Sequence, residues 1–235
     1  MTSLFDRPLP FEAFGQFHNI DAKVQSHLKG VYATLAASVL IAALGATLGQ
    51  RFAFAFEYPY LVSFACLGFV LWLAMNPEGS STFGTRAAMF GGYSFFQGVA
   101  LAPLVWLLAE IDPSIVSTAF LGSVAIFASF SLTALYAQRR VDLWLGGLLS
   151  SGLSVLCWTN LLAFFFPSMF FFNIQLYLGL MVFCGYVIFD TQVIIFKATR
   201  GDRDVIMHSL ELFLDFVNIF VRIASILGKD KKKKK

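Results

Sequence analysis

Long stretches of this chain carry no ionisable residue and show no alternation of polar and apolar positions. A hydrocarbon core of about 30 Å needs about 20 consecutive apolar residues in helical form. Runs of that kind, bounded by charges, Pro or Gly clusters, lie at 31–50, 60–75, 87–109, 115–136, 143–166 and 170–196. Each is read as a membrane helix. The second is short, and the sixth carries one acid, Asp190. A seventh stretch, 205–227, is different: His208, Glu211, Asp215, Asn218 and Arg222 interrupt it at intervals of 3, 4, 3 and 4 residues. Helical periodicity puts all five on one stripe whose surroundings are Leu, Ile, Val and Phe. A polar stripe that narrow must face protein or water rather than lipid. The expected fold is therefore all-α, a polytopic membrane bundle of six or seven transmembrane helices, with the last helix polar-striped and either central or re-entrant.

Residues 1–30 are expected to form a cytoplasmic N-terminal segment, 31–228 a single transmembrane bundle and 229–235 a basic tail. The first 17 residues contain Asp6, Pro8, Pro10 and Glu12 and lack the uninterrupted apolar core of a cleavable signal peptide. With the N-terminus inside, the inner segments hold Arg7, Lys23, Lys29, Arg86, Arg139, Arg140, Lys197, Arg200 and Arg203, while the outer loops hold only Arg51. That asymmetry satisfies the positive-inside rule. The lysine tail conflicts with a full seventh crossing. The expectation leans to re-entry of the last segment, which returns the C-terminus to the cytoplasm.

Composition agrees with a bilayer as solvent: of 235 residues, 58% are hydrophobic, 13% are charged and 28 are Phe. A net charge of +3 rests on the terminal lysines, so nucleic acid is not an expected partner. Cys66, Cys157 and Cys184 fall in three different apolar runs, which argues for packing rather than disulfides. The pairs Gly91-Gly92 and Gly146-Gly147 are read as sites of close helix packing.

The chemistry available lies within the bilayer. Asp190 sits seven residues before Lys197, and Asp215 ten after Val205, across a short connection. Their depths are roughly 10 and 15 Å at 1.5 Å per residue, so a helical hairpin could bring them face to face. Two carboxyl groups in such a place share a proton and titrate as a unit, and Glu211 adds a third acid one turn away. Deprotonated, the pair could bind a hard cation such as Ca²⁺ transiently. Alternatively, Asp190 reaches the cytoplasmic edge and Asp215 is neutralised by Arg222 or capped by Asn218. Two intramembrane aspartates also suggest aspartyl proteolysis, but the contexts Phe189-Asp190 and Leu214-Asp215 lack the glycine motif of such proteases. No hydrolase or phosphate-loop motif is present either, so neither enzymatic activity nor a cofactor is expected.

Several motifs together resemble the Bax inhibitor family (transmembrane Bax inhibitor motif proteins), most closely its endoplasmic-reticulum branch. They are Leu4-Phe5-Asp6-Arg7, His27-Leu28-Lys29, Asp112-Pro113-Ser114-Ile115 and Thr118-Ala119-Phe120-Leu121-Gly122 in the first half. Ala134-Leu135-Tyr136-Ala137 with Arg139-Arg140, Gly185 with Phe189-Asp190-Thr191-Gln192, and Leu212-Phe213-Leu214-Asp215-Phe216 follow. The resemblance implies six or seven helices with the last near the centre, and a pH-sensitive Ca²⁺ leak of the endoplasmic reticulum that suppresses stress-induced death. It makes Asp190 and Asp215 the pH sensor and gate. It also implies H⁺, Ca²⁺ and the lipid bilayer as partners, and Bcl-2-type membrane proteins under an alternative reading in which ion flux is incidental. Two departures stand out. Ala102-Pro103 replaces a Gly-Pro, and residues 61–76 contain none of the charged groups that bacterial relatives carry in the second helix, so Arg86 or Arg222 would have to supply a latch. The lysines at the end resemble a dilysine retrieval signal, or a basic patch near anionic lipid.

Overall fold

A computed structural model describes residues 21–51, 54–136 and 143–234. Arg7, Arg139, Arg140, Ala137 and the Leu4–Arg7 motif lie outside the described residues. The described elements are α1 (Ala22–Arg51), α2 (Phe54–Glu57), α3 (Pro59–Met75), α4 (Phe83–Ile111), α5 (Ser114–Tyr136), α6 (Leu143–Phe165), α7 (Met169–Thr199) and α8 (Val205–Lys234). Five of them, α1, α4, α5, α6 and α7, are long and apolar enough to cross a membrane, and α3 is a shorter apolar helix.

Local chemistry sets the ends. Pro59 opens α3, where a missing N–H costs nothing. Thr82 and Ser168 cap α4 and α7 by accepting backbone N–H groups of Thr85 and Phe170. At the end of α7, Gly201 takes a φ of 100°, the left-handed conformation that lets the chain reverse into α8.

Contacts between helices fix their relative directions. Gly45 abuts Phe95 and Gly49 abuts Val99 and Ala102, so α1 and α4 run parallel. Lys197 meets Glu211 and Gly179 meets Arg222, so α7 and α8 run antiparallel. The helix α8 packs against α1, α4, α5 and α7, while α3 lies on α4 and α6 on α7 at the flanks. Phe213, Ile219 and Ala224 of α8 are fully buried, whereas Leu40, Phe64, Leu121 and Trp158 on outer helices point outward. Apolar surface facing out around a central helix is the arrangement of a bundle dissolved in lipid.

One expectation is corrected. The last segment is not re-entrant: α8 is one uninterrupted helix of 30 residues, about 45 Å long at 1.5 Å per residue. Helix continues through Lys229 to Lys234, and α1 begins at Ala22. The start and the end of α8 lie at opposite ends of the bundle. The start of α1 meets the start of α8 through His27 and His208, while Lys231 bonds Asp112 at the far end. The physical reason is that lysines are long and amphipathic, so they extend a buried helix to the opposite interface and find an acid there.

Candidate functional site

The polar stripe of α8 forms as its 3–4 spacing requires, but its members face different neighbours. Asp215 is 4% exposed and turns to α7, where Asp190 is its neighbour across the seam. The second oxygen of Asp215, Oδ2, is buried and has no hydrogen-bond partner among the described residues. One turn towards the α7–α8 connection, Glu211 accepts from Lys197 Nζ at 3.1 Å, and both side chains are about one-third exposed. Three acids and one lysine are thus gathered along a single seam between two antiparallel helices.

At the other end of the stripe Arg222 does not neutralise Asp215. Its Nη1 donates to the backbone oxygen of Asn218 at 3.0 Å and to Asn218 Oδ1 at 2.8 Å. Its guanidinium lies 4.4 Å from the centre of the Phe183 ring. It fits there because residue 179 is glycine; a Cβ at that position would collide with Arg222 Nε. Asn218 itself donates to Leu214 O and does not cap Asp215. His208 leaves the seam altogether: its Nδ1 lies 2.9 Å from Nε2 of His27 on α1, in a buried imidazole pair.

Arg86 is engaged elsewhere. Its two terminal nitrogens bond Oδ1 and Oδ2 of Asp204 at 2.8 and 2.6 Å, so it is not a latch on the Asp190/Asp215 pair in this conformation. Asp204 also caps α8 by accepting the Met207 N–H at 3.0 Å. Burial alone would raise the Asp204 carboxyl, but the bonds from Arg86 and Met207 and the positive charge beside it outweigh that and hold it below its ordinary value.

Asp204 is absent from the residues that the sequence singles out, and His27 enters only within a family motif, although signals for both exist. Asp204 directly precedes an apolar run, the position of a helix cap. His27 falls on the face that Val24, Leu28, Val31 and Leu35 bury. Among the described residues no group of three or more His, Cys, Asp or Glu side chains gathers as a metal site.

The family described as inhibitor of apoptosis-promoting Bax1 matches residues 24–232. The chain belongs to the Bax inhibitor family. It is 44% identical over 99% of both chains to a protein named probable Bax inhibitor 1 from Paralichthys olivaceus. Bax inhibitor 1 of Homo sapiens is 42% identical over 99% of both chains. Bax inhibitor 1 of Arabidopsis thaliana is 39% identical, covering 97% of this chain and 93% of the plant protein. The Asp190/Asp215 pair and all but the last two residues of α8 fall inside the matched region of the Bax inhibitor family.

Proposed function

We propose that this chain is an anti-apoptotic membrane protein acting as a pH-sensitive Ca²⁺ leak of the endoplasmic reticulum, with Asp190 and Asp215 as sensor and gate. The observation that carries the reading is the meeting of these two carboxyl groups on α7 and α8. A hydrogen bond between two carboxyl groups requires a proton on one of them. Losing that proton leaves two like charges side by side in a place of low dielectric, which favours either separation of the helices or capture of a cation. Adding a second proton removes the shared bond's charge and weakens the tie between the helices. Either change moves α7 against α8, and α8 touches most of the bundle. The family resemblance supplies the direction, acid opening the path, and supplies the endoplasmic-reticulum address.

The reading as a docking protein for Bcl-2-type partners draws no support from the tail, because Lys231 bonds Asp112 of its own bundle. The test is flux of Ca²⁺ into indicator-loaded liposomes between pH 6 and 8, comparing the parent with Asp190→Asn and Asp215→Asn. Each variant should flatten the pH response at least severalfold. Parental pH dependence in both would overturn the gate.

A further inference from the structure

A cavity of about 520 Å³ lies between α1 and α5 and is floored by α4 and α8. Its walls include Ala43 and Ala46 of α1, Val105 of α4, Val116 of α5, and Phe213 and Phe220 of α8. Its two hydroxyl-bearing residues, Thr47 and Ser117, have already given their hydrogens to Leu44 O and Ser114 O of their own helices. The cavity therefore offers water no donor and almost no acceptor, and an apolar space of this kind stays dry or takes an apolar guest. Leu40, Ala43, Thr47 and Ser117 on its rim are exposed, so it opens sideways, at the depth of the membrane-crossing helices.

The mouth carries charge of one useful sign. Arg51 stands one turn beyond Thr47 on the same face of α1, is exposed, and has no ion pair among the described residues. On the opposite wall Asp112, next to Pro113 of the cavity lining, is already occupied by Lys231. An open apolar slot below a guanidinium that has no ion pair among the described residues matches one chemistry: a phosphodiester headgroup above a hydrocarbon chain.

We propose that this groove binds one phospholipid, an acyl chain lying between α1 and α5 against α8 and its phosphate at Arg51. The inference is independent of the proton-gated leak, since it invokes neither Asp190 nor Asp215. Because Phe213 and Phe220 belong to the helix that carries Asp215, occupancy of the groove bears directly on α8.

The test is native mass spectrometry of the purified full chain after incubation with dioleoyl phosphatidylcholine, dioleoyl phosphatidylglycerol or cholesterol. One phospholipid should survive removal of detergent. The groove-filling Ala43→Phe/Ala46→Phe variant should retain it at least tenfold less while keeping the parental helical content, and Val116→Phe fills the same space from the other wall should the first variant fold poorly. Arg51→Gln should weaken retention of both phospholipids severalfold. Undiminished lipid on the filled variants, cholesterol held in place of phospholipid, a lipid-free dimer closing the groove, or retention indifferent to Arg51 would each overturn the proposal.

Discussion

The pair formed by Arg86 and Asp204 joins α4 to the start of α8 with two bonds and little solvent; the side chains are 4% and 10% exposed. Removing one partner of such a buried pair strands the other, at a cost of about 3–5 kcal/mol. Arg86→Met should therefore lower the melting temperature of the purified protein strongly. Asp204→Ala should do at least as much, because it also deletes a helix cap, a further loss of about 1 kcal/mol. The double variant should destabilise less than the sum of the two, since they share one interaction. The pH dependence follows in sign. The Asp204 carboxyl is held below its ordinary value in the folded protein, so its contribution is fully present above the ordinary carboxylate pKa of about 3.9 and is lost as pH falls through the lowered folded value. Melting curves should thus show an acid destabilisation below about pH 4 in the parent that Arg86→Met lacks; matching acid limbs would count against the pair as its source.

At the scale of helices, α1 and α4 pack backbone against backbone. A Cβ at Gly98 would strike the carbonyl oxygen of Ala42, and one at Gly45 that of Phe95. These obstacles are backbone, so neither can yield by turning a rotamer. Gly98→Ala should cost about 1–3 kcal/mol by overpacking, read as a fall in melting temperature, whereas Gly147→Ala should be silent because nothing stands within 4 Å of its Cβ position. Equal effects at the two sites would contradict the packing described. This contrast marks a limit of the sequence pattern. The doublets Gly91-Gly92 and Gly146-Gly147 look like the natural contact points, yet Gly91 meets only the tip of Ile41, and Gly92 and Gly146 face rings of Phe69 and Phe189. Periodicity says which residues share a face, but not which faces meet most closely; that depends on how four neighbours settle around α8. By contrast, the Asp190/Asp215 encounter was legible, because a short connection between two helices fixes register on both at once. The partners of His208 and Arg86 were not, since they lie 181 and 118 residues away in the chain.

For the whole molecule, the order of crossings follows from the apolar runs alone, and only the last needed the structure. Hydropathy ranks α8 as unlike the other helices, yet it is the one most enclosed: a helix surrounded by protein can carry acids and histidines that lipid would exclude. Charge counting leaves the tail undecided for a related reason. It treats the tail lysines as free to choose a side, whereas Gly228 is packed on Leu108 and Lys231 is bonded to Asp112, which binds the end of α8 to the α4–α5 turn. The tail then sits at the opposite end of the bundle from the α7–α8 connection. If the positive-inside assignment holds for the loops, the tail is outside the cytoplasm and its lysines cannot serve as a signal read by cytoplasmic coat proteins. Cysteine labelling distinguishes the two arrangements. In a background with Cys66, Cys157 and Cys184 replaced by alanine, Asp202→Cys and Lys233→Cys are placed at the two ends of α8. In sealed, uniformly oriented vesicles an impermeant maleimide should modify one of them at once and the other only after permeabilisation. Prompt labelling of both would mean that the tail returns to the side of the α7–α8 connection, and the single crossing by α8 would have to be abandoned.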